Sequence, residues 1–288
     1  MAVSPAHRWG QIIGEVMEAA VLPMLEGFAA TNHLYLDRQG DRPCRKGRKC
    51  TWVDTNGNAH DLDFVLERGG TPTQMGTPVA FIETAWRRYT KHSRNKAQEI
   101  QGAILPLAET YNRAAPFKGA ILAGVFTEGA LTQMRSLGFT ILYFPYEMIV
   151  GVFRRFGIDA SSEEDTPDTD FQTKVNGYER FSDRKRRGLA AELMRRNDAQ
   201  VKEFVGALTT TVSRRIERIV VLPLHGQIEE LPTLDQAIAF IKRYADRDGR
   251  RPIQRYEIQI RYSNGDSIEG KFADKQGAVE FLESYKRK

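Results

Sequence analysis

Residues 79–89 read VAFIETAWRRY, and the acid in this run decides how the chain is read. The apolar residues Val79 to Ile82 predict a buried strand, and the strand delivers a carboxylate, Glu83, into a group of arginines. Burying a lone carboxylate is costly, so this acid asks for a cation or for solvent. The preceding strand, HDLDFVLE (60–67), poses the same question. Strand alternation puts Asp61 and Asp63 on one face, with Leu62 and Phe64 on the other. With the two strands as neighbours, Asp63 and Glu83 enter one cleft at a spacing that suits Mg²⁺, a hard cation that takes oxygen ligands and keeps several waters. Asp61 is the third candidate ligand. A metal held there activates a water, orients a phosphodiester and stabilises the charge that builds on its oxygens.

The charge around this stretch points to the same class of partner. Residues 86–96, WRRYTKHSRNK, hold five Lys/Arg (Arg87, Arg88, Lys91, Arg94 and Lys96) and no acid. A second group, Arg184, Lys185, Arg186 and Arg187, lies further along, with Arg195 and Arg196 following. The formal net charge of +5 is modest, but its clustering beside Trp86 and Tyr89 suits a phosphate backbone, the sequence-independent part of nucleic-acid affinity. Nucleic acid is the expected class of partner, and double-stranded DNA is the form that the resemblance described below implies.

Working outward, the apolar positions Trp9, Ile12, Ile13, Val16, Met17, Ala20, Val21, Met24, Leu25 and Phe28 form a helical stripe, opened by Ser4 and Pro5. Short strands are expected at 33–36 and 51–53, then a hairpin turn at Asp54-Thr-Asn-Gly-Asn and one returning strand, AHDLDFVLE. After VAFIE come a helix over about 93–111, interrupted by Pro106, the buried strand GAILAGVF (119–126), a helix and the strand FTILYFP (139–145). This order predicts an α/β domain with a mixed central sheet flanked by helices, over residues 1–158. The stretch DASSEEDTPDTD (159–170) reads as an acidic linker. Residues 171–288 then read as a basic helical segment and an α+β region, for DNA recognition or dimerisation. In it, 219–244 and 257–285 form a weak repeat, each a ββα unit.

The sequence of helix, strand with Asp63, strand with Glu83-Thr84-Ala85, helix and buried strand resembles the PD-(D/E)xK nuclease superfamily over about residues 5–150. The resemblance implies a restriction-endonuclease-like core in which Asp63 and Glu83 bind Mg²⁺. It also places a catalytic lysine two residues after the glutamate, at position 85, where this chain has Ala85, and Leu62 stands where the motif proline would be. Glu15 or Glu18 matches the extra acid that some members carry. The alanine has three readings. Lys91, Lys96 or Arg87 takes the lysine's place; or a lysine has been replaced by substitution, which the intact surroundings favour; or the chain is a binder that has lost its chemistry.

The resulting expectation is a Mg²⁺-dependent DNA endonuclease of type II restriction type, acting as a homodimer and impaired by Ala85. The alternatives are a non-catalytic DNA-binding module on the same fold and a nuclease acting on RNA. No glycine-rich phosphate loop and no GxSxG motif is present. The five histidines show no metal-ligand spacing, and His60 and His92, near the acids, read as hydrogen-bonding or phosphate-contacting groups. Cys44 and Cys50 lack the partners of a zinc site and read as reduced thiols. Charges interrupt the N-terminal apolar positions, and no apolar run nears the roughly 20 residues that span a bilayer. A cytoplasmic protein without membrane contact is expected.

Overall fold

The computed structural model describes residues 4–89, 93–224, 226–244 and 255–286. The chain forms two compact units, Met1–Val212 and Ser213–Lys288. In the first, helix α1 (Pro5–Thr31) begins as the sequence predicts. Ser4 accepts a hydrogen bond from the His7 N–H, and Pro5 occupies the first turn, where its missing N–H costs nothing. The stripe from Trp9 to Phe28 is buried, apart from the half-buried Met24.

The central sheet is mixed. Its strands are β1 (Leu34–Arg38), β4 (Phe64–Arg68), β5 (Thr77–Arg87), β6 (Phe117–Gly124) and β7 (Thr140–Pro145), in the order β1-β4-β5-β6-β7. The β1–β4 and β4–β5 pairs are antiparallel, and the β5–β6 and β6–β7 pairs are parallel. Helices α2 (Ser93–Thr110) and α3 (Glu128–Ser136) cover one face, together with a small hairpin of β2 (Cys50–Val53) and β3 (Ala59–Leu62). Helix α2 runs on through Pro106. The other face packs on α1, α4 (Tyr146–Arg155), α5 (Asp168–Glu179), α6 (Asp183–Arg196) and α7 (Asp198–Val212).

Two expectations change here. The single returning strand AHDLDFVLE is broken at Asp63: β3 pairs with β2, and β4 joins the central sheet. Alternation therefore does not carry through from Asp61 to Asp63. The expected linker, 159–170, also lies inside the first unit. Phe171, Val175 and Tyr178 of α5 and Leu189 and Leu193 of α6 are buried in the core that holds α1. The acidic stretch connects α4 to α5 and separates no domains.

The β1 edge is secured by buried charge. The Arg42 guanidinium bridges Glu67, at 2.5 and 3.0 Å, and Asp37, at 2.9 Å, and also donates to the carbonyls of Thr71 and Gln74. Arg45 reaches Asp37 at 3.3 Å. Cys44 and Cys50 are free thiols.

The second unit is a four-stranded antiparallel sheet of β8 (Ile216–Pro223), β9 (Glu229–Leu231), β10 (Tyr256–Tyr262) and β11 (Ser267–Phe272), in the order β11-β10-β8-β9. Helices α8 (Leu234–Arg243) and α9 (Lys275–Ser284) share its core. Each half is a ββα unit, and β8 and β10 meet antiparallel in the middle, so the strand order is symmetric about that pair. The helices start alike: Thr233 accepts from the Gln236 N–H, and Asp274 from the Gly277 N–H.

If α5 belongs to the core of the first unit, Phe171→Ala should cost about 3–5 kcal/mol, as for other buried aromatic truncations. Urea unfolding of the two chains measures this, and a loss below about 1 kcal/mol would separate α5 from the core.

Candidate functional site

Strand β5 carries the site. Phe81 and Ala85 of this strand lie in the cluster under α2, while Ala80 and Ile82 lie in the cluster under α1. By alternation Glu83 belongs to the α2 face and Thr84 to the α1 face. The β4–β5 register pairs Phe64 with Ile82, so one further step sets Asp63 opposite Glu83. The strand break at Asp63 frees its backbone and side chain for β5. The Asp63 N–H donates to Glu83 Oε1 at 3.2 Å. Asp63 Oδ2 accepts from the Thr84 N–H at 2.7 Å and from Thr84 Oγ1 at 2.6 Å. The two expected acids are thus brought together, and Thr84, a residue not singled out from the sequence, holds the aspartate. Its signal was present: a hydroxyl in an otherwise apolar strand, next to the glutamate.

Beside this junction lies a cleft of about 680 Å³ between α1 and α2, lined by Glu18, Asp63, Thr84, Ala85, Arg87 and Lys96, among others. Glu83 is 8% exposed and does not line the open cleft. Burial, then the neighbouring Asp63 charge, pushes its carboxyl up to about 8, against an opposing pull from Lys96. Glu18 is also raised, by desolvation first and by Asp63 and Glu15 after it. Glu15 differs, because it is bound to Arg8 at 2.7 Å. Of Glu15 and Glu18, the latter is therefore the one turned to the cleft.

Asp61 does not join this group. It sits on β3 opposite Thr51, where its carboxylate is held by Lys49 Nζ at 2.7 Å and Thr51 Oγ1 at 2.6 Å. Those bonds, that to Lys49 first, keep it below its ordinary carboxylate range. Among the described residues, no three His, Cys, Asp or Glu side chains are gathered as a metal site.

The expected phosphate-binding cations are disposed unequally. Arg87 lines the cleft, donates to the Trp86 carbonyl at 2.8 Å and lies 3.9 Å from Glu99. The chain beneath it is clamped by Gly124, whose φ of +96° and contact with the Arg87 carbonyl exclude any Cβ. Arg88 is stacked over Tyr89 and Phe171, each at 4.5 Å. Trp86 stacks on Tyr146. Arg94 is exposed, and Lys91 and His92 lie outside the described residues, as does His225. On α6, Arg184 and Arg187 are exposed, whereas Lys185 lies over Phe181 at 3.9 Å and Arg186 over Tyr178 at 5.1 Å. Arg186 also donates to the Glu179 carbonyl. Half of that basic run is thus committed to packing. His60 bonds Asp54 at 3.0 Å in the β2–β3 turn.

The donor set fits Mg²⁺ chemically. Asp63 and Glu83 are hard oxygen donors, and Glu83 is a buried acid that, among the described residues, has no cation within ion-pair distance. Mg²⁺ needs only one or two protein carboxylates, the rest of its shell being waters and substrate phosphates.

No known family model, curated protein or solved structure matches the chain. Among the described residues, no helix is long and apolar enough to cross a membrane.

The Glu83 carboxyl holds its proton more tightly in the folded chain than in the unfolded one. Its contribution to stability is therefore complete below pH 4.5, its ordinary value, and is lost as pH rises through about 8. Glu83→Gln should flatten the fall in melting temperature over that window. Thermal melts across pH check this, and an unchanged slope in the Gln variant would contradict the assignment.

Proposed function

We propose that the first unit is a Mg²⁺-dependent nuclease of restriction-endonuclease type that hydrolyses phosphodiesters of double-stranded DNA. The observation that carries this reading is the pairing of Asp63 with Glu83 across the β4–β5 register, beside a cleft edged with cations. Asp63 and Glu83 would hold the metal. When bound, Mg²⁺ polarises the phosphate and lowers the pKa of the attacking water.

The chain's own residues do the rest. Thr84 fixes the Asp63 carboxylate through two hydrogen bonds, so one of its oxygens is positioned before any ligand arrives. The apolar shell around Glu83, with Phe81 and Ala85 on its face of β5, excludes bulk water and strengthens electrostatic interactions in the cleft. Arg87 at the cleft edge and Arg94 at the start of α2 contact phosphates, which positions the duplex without reading its sequence. Sequence readout falls to residues beyond 170, including Arg184 and Arg187 and the ββα pair. Cutting both strands at one site needs two active sites, so a two-fold homodimer on a palindromic target completes the reading.

The test is cleavage of plasmid DNA with Mg²⁺ and with EDTA. Asp63→Asn and Glu83→Gln should each lower the rate by ~10²–10³ or more, the usual cost of losing one electrostatic group at a reacting centre. Tight DNA binding with no cleavage by the parent would favour a non-catalytic binding module instead. Arg87→Ala should weaken binding across sequences and lower the slope of log K against log salt by about 0.9, for the one phosphate that is no longer neutralised. Fluorescence anisotropy over a salt series measures that slope, and a parent-like slope would remove Arg87 from the interface.

A further inference from the structure

We infer that Lys96, in the first turn of α2, is the catalytic cation of this cleft and does from the helix what residue 85 cannot do from the strand. The inference rests on the nuclease reading above. Ala85 is packed under α2 with Ala97 and Ile100 and brings only a methyl group to the cleft wall. The same packing carries α2 over the half of β5 that holds Glu83. Ser93, Ala97, Ile100, Gln101, Ile104 and Leu107 are the residues α2 buries. Lys96 falls three residues after Ser93 and four before Ile100, hence on the sheet-facing side of the helix. Its side chain is 22% exposed and lines the cleft beside Asp63, Thr84 and Ala85.

The other cations that line the cleft are differently engaged. Arg88 is stacked between Tyr89 and Phe171, and Arg87 donates to the Trp86 carbonyl. The position of Lys96 is also electrostatically poor for helix stability. It stands in the first turn, where the helix dipole disfavours a positive charge and where α2 has no acid to compensate. Glu99, at 3.3 Å, is its partner, and Glu99 lines the same cleft.

In the reaction, a bond forms between the water oxygen and phosphorus while the bond from phosphorus to the leaving ester oxygen breaks. The water's proton passes to solvent, and solvent supplies the proton that the leaving oxygen takes up. The Lys96 ammonium keeps its protons. It donates hydrogen bonds to the attacking water or a non-bridging phosphate oxygen and offsets the negative charge of the transition state.

The experiment compares single-turnover plasmid cleavage and DNA affinity in the full chain for the parent, Lys96→Met, Lys96→Arg and the double variant Ala85→Lys/Lys96→Met. Lys96→Met should lose ~10²–10³ in rate while DNA affinity and melting temperature stay near the parent's. Activity should return by about tenfold or more on restoring a cation, at 96 as Arg or at 85 as Lys. A Lys96→Met chain that cuts within about threefold of the parent overturns the assignment, and so does a loss that neither cation recovers. A parent chain that cleaves no duplex with Mg²⁺ or Mn²⁺ overturns the nuclease reading itself, and the Lys96 role with it.

Discussion

The hydrogen bonds between Asp63 and the Glu83-Thr84 pair are the constraint on which the site depends. They form because the hairpin strand stops at Asp63 instead of running on into β4. An unbroken strand would commit that backbone N–H to a sheet ladder. The break leaves it free to meet Glu83 Oε1, and leaves the carboxylate free to take both donors of Thr84. One residue thus ties two strands together while presenting an oxygen to the cleft. The arrangement also sets up the electrostatic tension at Glu83, since it holds one acid against another in a buried place.

The two helical layers convert that junction into a cleft. Helix α1 brings Glu18 from one side of the sheet, and α2 brings Lys96 and Glu99 from the other. Helices α5 and α6 pack on α1 and share its buried core. Arg88 belongs to this support: its stacking over Phe171 ties the end of the β5 segment to α5. A cluster of positive charge in sequence is therefore divided in space between residues that line the cleft and residues committed to packing.

Much of this was legible in the residues, and the limits are physical. The α1 stripe, its Ser4–Pro5 start, the Asn-Gly hairpin turn and the ββα pair follow from local patterns whose energetics are local. Asp63 and Glu83 stood out because acids at the ends of apolar runs are costly without a reason. The break at Asp63 is not legible, since HDLDFVLE holds no glycine, proline or turn signal and only the competing hydrogen bonds from Thr84 and to Glu83 decide it. For the same reason the pattern groups Asp61 with Asp63, whereas its carboxylate is held by Thr51 on the facing hairpin strand and by Lys49 just before that strand. The placement of α5 in the core depends on contacts between Phe171, Tyr178 and residues far away in the chain, and the acidic 159–170 stretch suggested the opposite. The Arg42–Glu67–Asp37 network is likewise a long-range pairing that no local pattern announces.

The central claim is that Asp63 and Glu83 share one divalent cation. Crystals grown with Mn²⁺ in place of Mg²⁺ test it most directly through anomalous scattering. The account predicts a peak about 2.1–2.3 Å from a carboxylate oxygen of Asp63 and from one of Glu83, with Lys96 within reach of the ion's water shell. A map with the ion bound elsewhere, or with Glu83 still buried and unliganded under saturating Mn²⁺, would contradict it.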